Sequence, residues 1–105
     1  MATSQLPFDD QKAPLYTVGQ VADMLRVQPA FLRRLDTEEV VQPARSAGGQ
    51  RRYTREEIRT VEKAVGLAGE GLTLAGIRRL LVLEDQVRDL ERRLADREEE
   101  ESSPE

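Results

Sequence analysis

The apolar positions of the chain follow helical spacing in several separate stretches. The first stretch predicts a short helix that ends near Arg26, with inward positions at Val18, Val21, Ala22 and Leu25. Thr17 precedes this helix and Gln20 follows it by three residues, which is the pattern of a capping box. Regular structure is therefore expected to begin at about residue 15.

A second helix is predicted immediately after the first. Val27 and Gln28 form a short turn, and Pro29 suits the first position of a helix. The inner face of this helix is predicted to be Phe31, Leu32 and Leu35, with Arg33 and Arg34 outside or at its edge. Two short helices joined by a tight turn form a candidate helix-turn-helix.

The next stretch, "VVQPARSAGGQRRY", loses the helical spacing. Its β-branched start and its glycine pair predict a short β-hairpin with Gly48 and Gly49 near the tip. Thr54 and Glu57 then form a second capping box at the start of a third helix, which is expected to end at glycines 69 and 71.

The last helix carries a repeated apolar seam. Thr73 is its predicted N-cap, and the seam positions, which are spaced 3, 4, 3 and 4, are Leu80, Leu83, Val87, Leu90 and Leu94. The alternative is that this helix packs on its own domain. From residue 83 to 94, however, too few apolar residues remain elsewhere to cover the seam, so we predict dimerisation through it.

These elements predict a mainly α fold with a small β-hairpin. The expected divisions are a disordered arm (1–14), a winged helix-turn-helix domain (15–71), a dimerisation helix (72–97) and a disordered acidic tail (98–105). With 105 residues, the chain has room for one small core.

Charge is distributed unevenly along the chain. The formal net charge is -4, yet residues 26–59 hold eight arginines and five acidic residues, which is a local +3. Residues 96–105 hold six acidic residues and one arginine, which is a local -5. Because of the acidic end, the net charge does not show that the middle of the chain is basic. A basic segment is suited to binding a polyanion.

Composition excludes several kinds of chemistry. The chain has no cysteine and no histidine, so disulfides, thiolate metal sites and imidazole catalysis are excluded. We expect no catalytic residues, no metal, no cofactor and no small-molecule effector. No apolar run approaches the roughly 20 residues that span a membrane, and no signal peptide is evident, so a cytoplasmic, nucleoid-associated location is expected.

The basic hairpin directly after the second helix favours a DNA-binding interpretation. A recognition helix can enter the major groove while a neighbouring hairpin, called a wing, contacts phosphates or the minor groove. The alternative for Arg51 and Arg52 is an ordinary solvated surface. Their position beside two glycines and Tyr53 makes that alternative the weaker one.

Residues 15–95 resemble the N-terminal part of MerR-family transcriptional regulators. The matching features are the opening "YTV", the "LRRLD" end of the second helix and "PARSAGGQRRYT" for the wing. The later "LAGI" and the paired arginines are similar to the actinobacterial heat-shock repressor subgroup.

The resemblance implies a winged helix-turn-helix homodimer that is joined by an antiparallel coiled coil and binds inverted-repeat promoter DNA. It also implies a repressor of heat-shock or chaperone genes and a chaperone as co-regulator. The residues expected to serve DNA binding are Thr17, Gln28, Pro29, Phe31, Arg33, Arg34, Arg45, Gly48, Gly49, Arg51, Arg52 and Tyr53, with Tyr53 partly structural.

Two positions depart from the family pattern. Leu35 replaces a tyrosine whose hydroxyl is suited to a phosphate contact, and Glu39 replaces a glycine and adds negative charge close to the expected DNA surface. They support an alternative in which the chain is a coiled-coil protein-interaction module with a decayed DNA-binding surface. An architectural, excisionase-like DNA binder with the same fold is a third hypothesis.

Overall fold

The computed structural model describes residues 10–102, which form a mainly helical fold with a small antiparallel sheet. The elements in chain order are β1 (Tyr16–Thr17), α1 (Val18–Leu25), α2 (Pro29–Thr37), β2 (Ala44–Arg45), β3 (Arg51–Tyr53), α3 (Arg55–Gly69) and α4 (Leu74–Ser102). No helix within these residues is long and apolar enough to cross a membrane.

The sheet has one more strand than the predicted hairpin. Its strand order is β1-β3-β2, and β3 pairs antiparallel with both neighbours. Tyr16 lies opposite Tyr53 in this register, and the Leu15 N–H donates to the Tyr53 carbonyl at 3.1 Å. Strand β1 has two residues, which are too few to produce an alternating pattern in the sequence. It is therefore recognised only by its pairing with β3 in the structure.

The predicted helix starts are confirmed. The Thr17 hydroxyl accepts from the Gln20 N–H at 3.1 Å, and the Gln20 side chain accepts from the Thr17 N–H at 2.9 Å. The second capping box, at Thr54 and Glu57, has both hydrogen bonds at 2.9 Å. Pro29 begins α2, as predicted.

The helix ends depend on left-handed residues. Arg26 follows α1 with φ 57°, Glu39 follows α2 with φ 62°, and Gly71 follows α3 with φ 101°. At the end of α2, the Val40 N–H donates to the Leu35 carbonyl at 2.7 Å, which is a Schellman closure. Glycine has no steric cost in this conformation, whereas a residue with a Cβ does.

One hydrophobic core joins all the helices. The buried residues of this core are Val21, Ala22, Leu32, Leu35, Val41, Tyr53, Ile58, Val61, Ala64 and Ile77. Ile77 is the single buried residue that α4 contributes in the described part of the chain, and it lies in the first turn of this helix. Leu81 also packs against this core and Glu84 pairs with Lys63 of α3, so α4 extends away from the domain only beyond this point.

Two expectations of disorder are wrong within the described residues. Residues 10–14 contain a turn, and the Gln11 carbonyl accepts from the Glu56 N–H at 3.2 Å at the start of α3. At the other end, α4 continues through 98–102, because glutamate is a good helix former. The rest of the predicted arm (1–9) and of the predicted tail (103–105) lies outside the described residues.

We predict that Glu39→Gly stabilises the fold. The left-handed backbone of a residue with a Cβ costs about 1 kcal/mol, whereas the exposed Glu39–Arg78 ion pair at 3.3 Å contributes roughly 0–1 kcal/mol. The free energy of unfolding in urea should rise by about 0.5 kcal/mol at a fixed protein concentration. Glu39→Ala is the control, since it removes the same ion pair and retains the Cβ. A glycine variant less stable than the alanine variant would contradict this explanation.

Candidate nucleic-acid interface

A groove lies between the start of α1, the exposed side of α2 and the β2–β3 hairpin. We call this hairpin, residues 44–53, the wing. The groove has a volume of about 310 Å³, and its lining residues are Thr17, Val18, Gly19, Arg33, Arg45, Gly49, Gln50 and Arg51. Because three arginines and no acidic side chain form this lining, we call it the basic groove.

The burial of one face of helix α2 determines that Arg33, on its other side, points into the basic groove. Leu32 and Leu35 are both 0% exposed, so the positions between them turn toward solvent. Arg33 lines the groove and Arg34 is exposed on the adjoining surface. Neither guanidinium has an acidic partner within residues 10–102, so both remain available to a ligand.

Strand β3 separates its two arginines by the alternation of side chains along a strand. Tyr53 faces the core, and Arg51 lies on the same side of the sheet, where its Nε donates to the Asp36 carboxylate at 2.6 Å. Arg52 lies on the opposite side and stands across from Thr17 of β1 in the register. The two arginines therefore have different surroundings despite being adjacent.

Asp36 is the residue of this site that the sequence analysis missed. Its Oδ2 accepts from Arg51 Nε at 2.6 Å and from Arg45 Nη2 at 3.3 Å, so both strands of the wing are joined to α2. The partners are 15 and 9 residues away, which no local pattern detects. The available signal was an acidic residue directly after the inward-facing Leu35 on an otherwise basic helix.

Tyr53, which the resemblance assigns to DNA binding with a partly structural role, is a core residue. The side chain is only 1% exposed, so no ligand can reach it. Burial raises the pKa of its phenol above the ordinary value of 10.0, and the neighbouring Arg51 guanidinium opposes this rise. Tyr53 supports the wing from beneath by anchoring β3 in the core.

The residues at the start of α2 do not line the basic groove. Gln28 and Phe31 lie in a separate apolar depression of about 330 Å³ that also includes Val65 and Ala68 of α3. Phe31 is half-buried and packs against the core. Gln28 is exposed and makes no capping hydrogen bond, and the half-buried Pro29 follows it at the first position of α2.

The two glycines of the wing differ in what they contribute. Gly49 has φ 84°, and its N–H donates to the Ser46 carbonyl at 2.9 Å, which closes the turn. Gly48 is exposed beside it and has an ordinary backbone conformation. A side chain at position 49 would be strained by the backbone, although the surrounding space is open.

Leu35 and Glu39, the two departures from the family pattern, lie outside the lining of the basic groove. Leu35 is fully buried, so its side chain fills the core and does not occupy a phosphate-facing position. The Glu39 carboxylate accepts from Arg78 of α4 at 3.3 Å and is not part of the basic groove lining. Neither residue therefore lines the basic groove.

The apolar seam of α4 is largely exposed in the single chain. The exposed fractions are 48% for Leu83, 52% for Val87, 60% for Leu90 and 58% for Leu94, whereas Leu80 is half-buried near the domain. Lys63 of α3 forms an ion pair with Glu84, which directly follows Leu83, and attaches this part of α4 to the domain. The predicted dimer contact thus begins where the internal packing of α4 ends.

Residues 16–83 match the family model described as "MerR HTH family regulatory protein". The putative heat shock protein HspR of Streptomyces coelicolor is 36% identical over 87 residues, which cover 82% of this chain and 58% of the relative. The HTH-type transcriptional regulator GlnR of Bacillus anthracis is 26% identical over 77 residues, which cover 73% of this chain and 60% of the relative. The chain thus spans less than two thirds of either protein's length.

Two solved structures share the fold. HiNmlR, a MerR family regulator lacking the sensor domain and bound to promoter DNA, superposes with a TM-score of 0.57 at 21% identity and covers 79% of each chain. A MerR family transcriptional regulator from Bacillus cereus gives a TM-score of 0.59 at 20% identity, over 82% of this chain and 70% of its own.

The fold and the basic groove together define a winged helix-turn-helix protein. The match over residues 16–83 places it further: the chain belongs to the MerR HTH family of regulatory proteins. This family comprises DNA-binding transcriptional regulators and not enzymes.

We predict that Tyr53→Phe leaves both stability and DNA affinity nearly unchanged. The phenol oxygen has no hydrogen-bond partner within residues 10–102, so its removal should change the free energy of unfolding by less than about 1 kcal/mol. Tyr53→Ala, the control, should lose about 3–5 kcal/mol because it empties the core. Urea unfolding and fluorescence anisotropy with labelled DNA measure the two properties. A large loss of DNA affinity in a phenylalanine variant that remains stable would show that Tyr53 contributes to DNA binding.

Proposed function

We propose that this chain is a homodimeric transcriptional repressor that binds inverted-repeat promoter DNA through α2 and the wing. The basic groove is the observation that carries the proposal. It brings arginines from α2, β2 and β3 to one face, although the chain as a whole is acidic. Arginines in such an arrangement are suited to phosphate oxygens and guanine edges.

Four of the predicted DNA contacts have distinct roles in this proposal. Arg33 and Arg34 extend from α2 without acidic partners and would contact base edges and phosphates. Arg52 lies on the outer face of the wing and would contact the backbone of the duplex. Gln28, exposed at the N-cap of α2, lies outside the basic groove and would contact bases if the N-terminal end of α2 enters the major groove.

The dimer part of the proposal depends on the exposed seam of α4. A dimer of a helix-turn-helix protein matches an inverted repeat because both have twofold symmetry. Two copies of α4 packed antiparallel would bring the acidic 98–101 segment of one helix near Arg78 and Arg79 of the other. A parallel pair would instead place the two acidic segments side by side, which like-charge repulsion disfavours.

The proposal for the target genes is supported by similarity alone and is its most specific part. The relative from Streptomyces coelicolor is named as a putative heat shock protein HspR. We propose promoters of heat-shock or chaperone genes as the first candidates, a chaperone as co-regulator, and a cytoplasmic location at the nucleoid. Recovery of genomic fragments bound by the purified protein tests whether these promoters are its targets. Measuring DNA affinity after addition of the chaperone tests whether the chaperone is a co-regulator.

We predict that Arg33→Ala weakens operator binding by about 1–3 kcal/mol per half-site. The loss should be accompanied by a shallower dependence of affinity on salt, by about one unit of slope for each phosphate contact removed. Arg97→Ala is the control, because this exposed arginine on the distal part of α4 carries the same charge outside the basic groove. Fluorescence anisotropy between 50 and 200 mM salt, a range over which phosphate contacts weaken markedly, measures both. Equal effects of the two substitutions would mean that the basic groove is not the DNA surface.

We predict that Leu83→Ala/Leu90→Ala raises the dimer dissociation constant by about 100-fold or more, because four leucine side chains per dimer lose buried area. Asp85→Ala/Arg92→Ala is the control, since it truncates two positions on the opposite side of α4 and preserves net charge. Sedimentation equilibrium measures the oligomeric state. A dimer that survives the first pair of substitutions would exclude the seam as its interface.

A further inference from the structure

The carboxylate of Asp36 joins the recognition helix to both strands of the wing. Its Oδ2 accepts from Arg51 Nε at 2.6 Å and from Arg45 Nη2 at 3.3 Å. The Asp36 side chain is only 13% exposed and that of Arg51 only 18%, so water screens this contact weakly. The strands it joins to α2 lie 9 and 15 residues further along the chain.

Strand β3 of the wing is anchored by Tyr53 and by its pairing with β1, but strand β2 has few other connections that would set its orientation. Strand β2 contains two residues and stands at the edge of the sheet, so β3 alone pairs with it. Arg45 adds one further link, because its Nη1 donates to the Gly49 carbonyl at 3.3 Å within the turn. A single carboxylate therefore connects α2, both strands and, through Arg45, the tip of the wing.

The same contact changes what the basic groove offers to a polyanion. A guanidinium donor bonded to a carboxylate oxygen is not free to donate to a phosphate oxygen. Two of the three groove arginines are engaged in this way, whereas Arg33 has no acidic partner within residues 10–102. Phosphate must compete with Asp36 for Arg45 Nη2 and Arg51 Nε.

We propose that Asp36 is a positioning residue that sets DNA specificity. It orients the wing relative to α2, and it withholds Arg45 and Arg51 from sequence-independent attraction to phosphate. A protein without this carboxylate would bind all DNA more strongly and distinguish its operator less well. The proposal rests on the DNA-binding function proposed above.

The first test compares Asp36→Asn with the native protein on two duplexes of equal length, the inverted repeat recovered by the native protein and a scrambled version of it. Affinity for the scrambled duplex should rise about three- to tenfold, and its salt slope should steepen by about one to two units as the released arginines contact phosphate. The ratio of operator to scrambled affinity should fall by about tenfold or more.

Asp23→Asn is the matched control, because it removes the same charge as Asp36→Asn. Asp23 is exposed on α1 and has no guanidinium partner within residues 10–102. It should raise both affinities slightly and leave their ratio unchanged. An Asp36→Asn variant that behaves like Asp23→Asn would overturn the proposal, since the effect would then be general electrostatics. Failure of the native protein to bind either duplex would instead overturn the proposed function.

The second test measures amide hydrogen exchange in the DNA-free protein and does not depend on DNA binding. The Ser46 N–H donates to the Gln50 carbonyl at 2.7 Å and the Gly49 N–H to the Ser46 carbonyl at 2.9 Å, so these amides report on the wing. Both should exchange about tenfold faster in Asp36→Asn, with α3 unchanged. Arg45→Ala should act in the same direction and is expected to fold, because Arg45 is half exposed. Unchanged wing exchange in both variants would show that Asp36 does not hold the wing.

Discussion

The alternation of side chains along β3 is the constraint on which the rest of the domain depends. Tyr53 enters the core and is only 1% exposed, so the register of this three-residue strand is set by burial. Arg51 must then face α2, and Arg52 must face the opposite side. Because β1 and β2 both pair with β3, the start of α1 and the tip of the wing take their positions from the same strand. The basic groove is the space that these positions enclose.

The arginines of the basic middle acquire different roles from their surroundings. Arg33 projects from α2 without an acidic partner in the described part of the chain, whereas Arg51 is held by Asp36. A charged pair that is largely removed from water restricts both side chains, and breaking it would leave an uncompensated charge. Net charge and local charge density therefore give little information about which arginine is available to a ligand.

The first part of helix α4 packs on the domain, and its later part is exposed. Its first turn buries Ile77, and the Arg78–Glu39 ion pair connects it to the end of α2. Further along α4, Glu84 pairs with Lys63 of α3, and the seam residues beyond it are exposed. The turn after α2 thus contacts the same helix that carries the seam, which links the proposed DNA-binding and dimer surfaces through a short path.

The sequence by itself determined the four helices, their capping boxes, the glycine-tipped hairpin and the apolar seam. Each of these depends on residues within about four positions of one another, so local periodicity and turn chemistry suffice. Only the tertiary structure decided that Tyr53 is buried, that Asp36 holds the wing and that Tyr16–Thr17 forms a strand. These features arise from contacts between residues far apart in the chain. Neither partner carries a local sequence signal, and each acquires its role only when the elements between them pack.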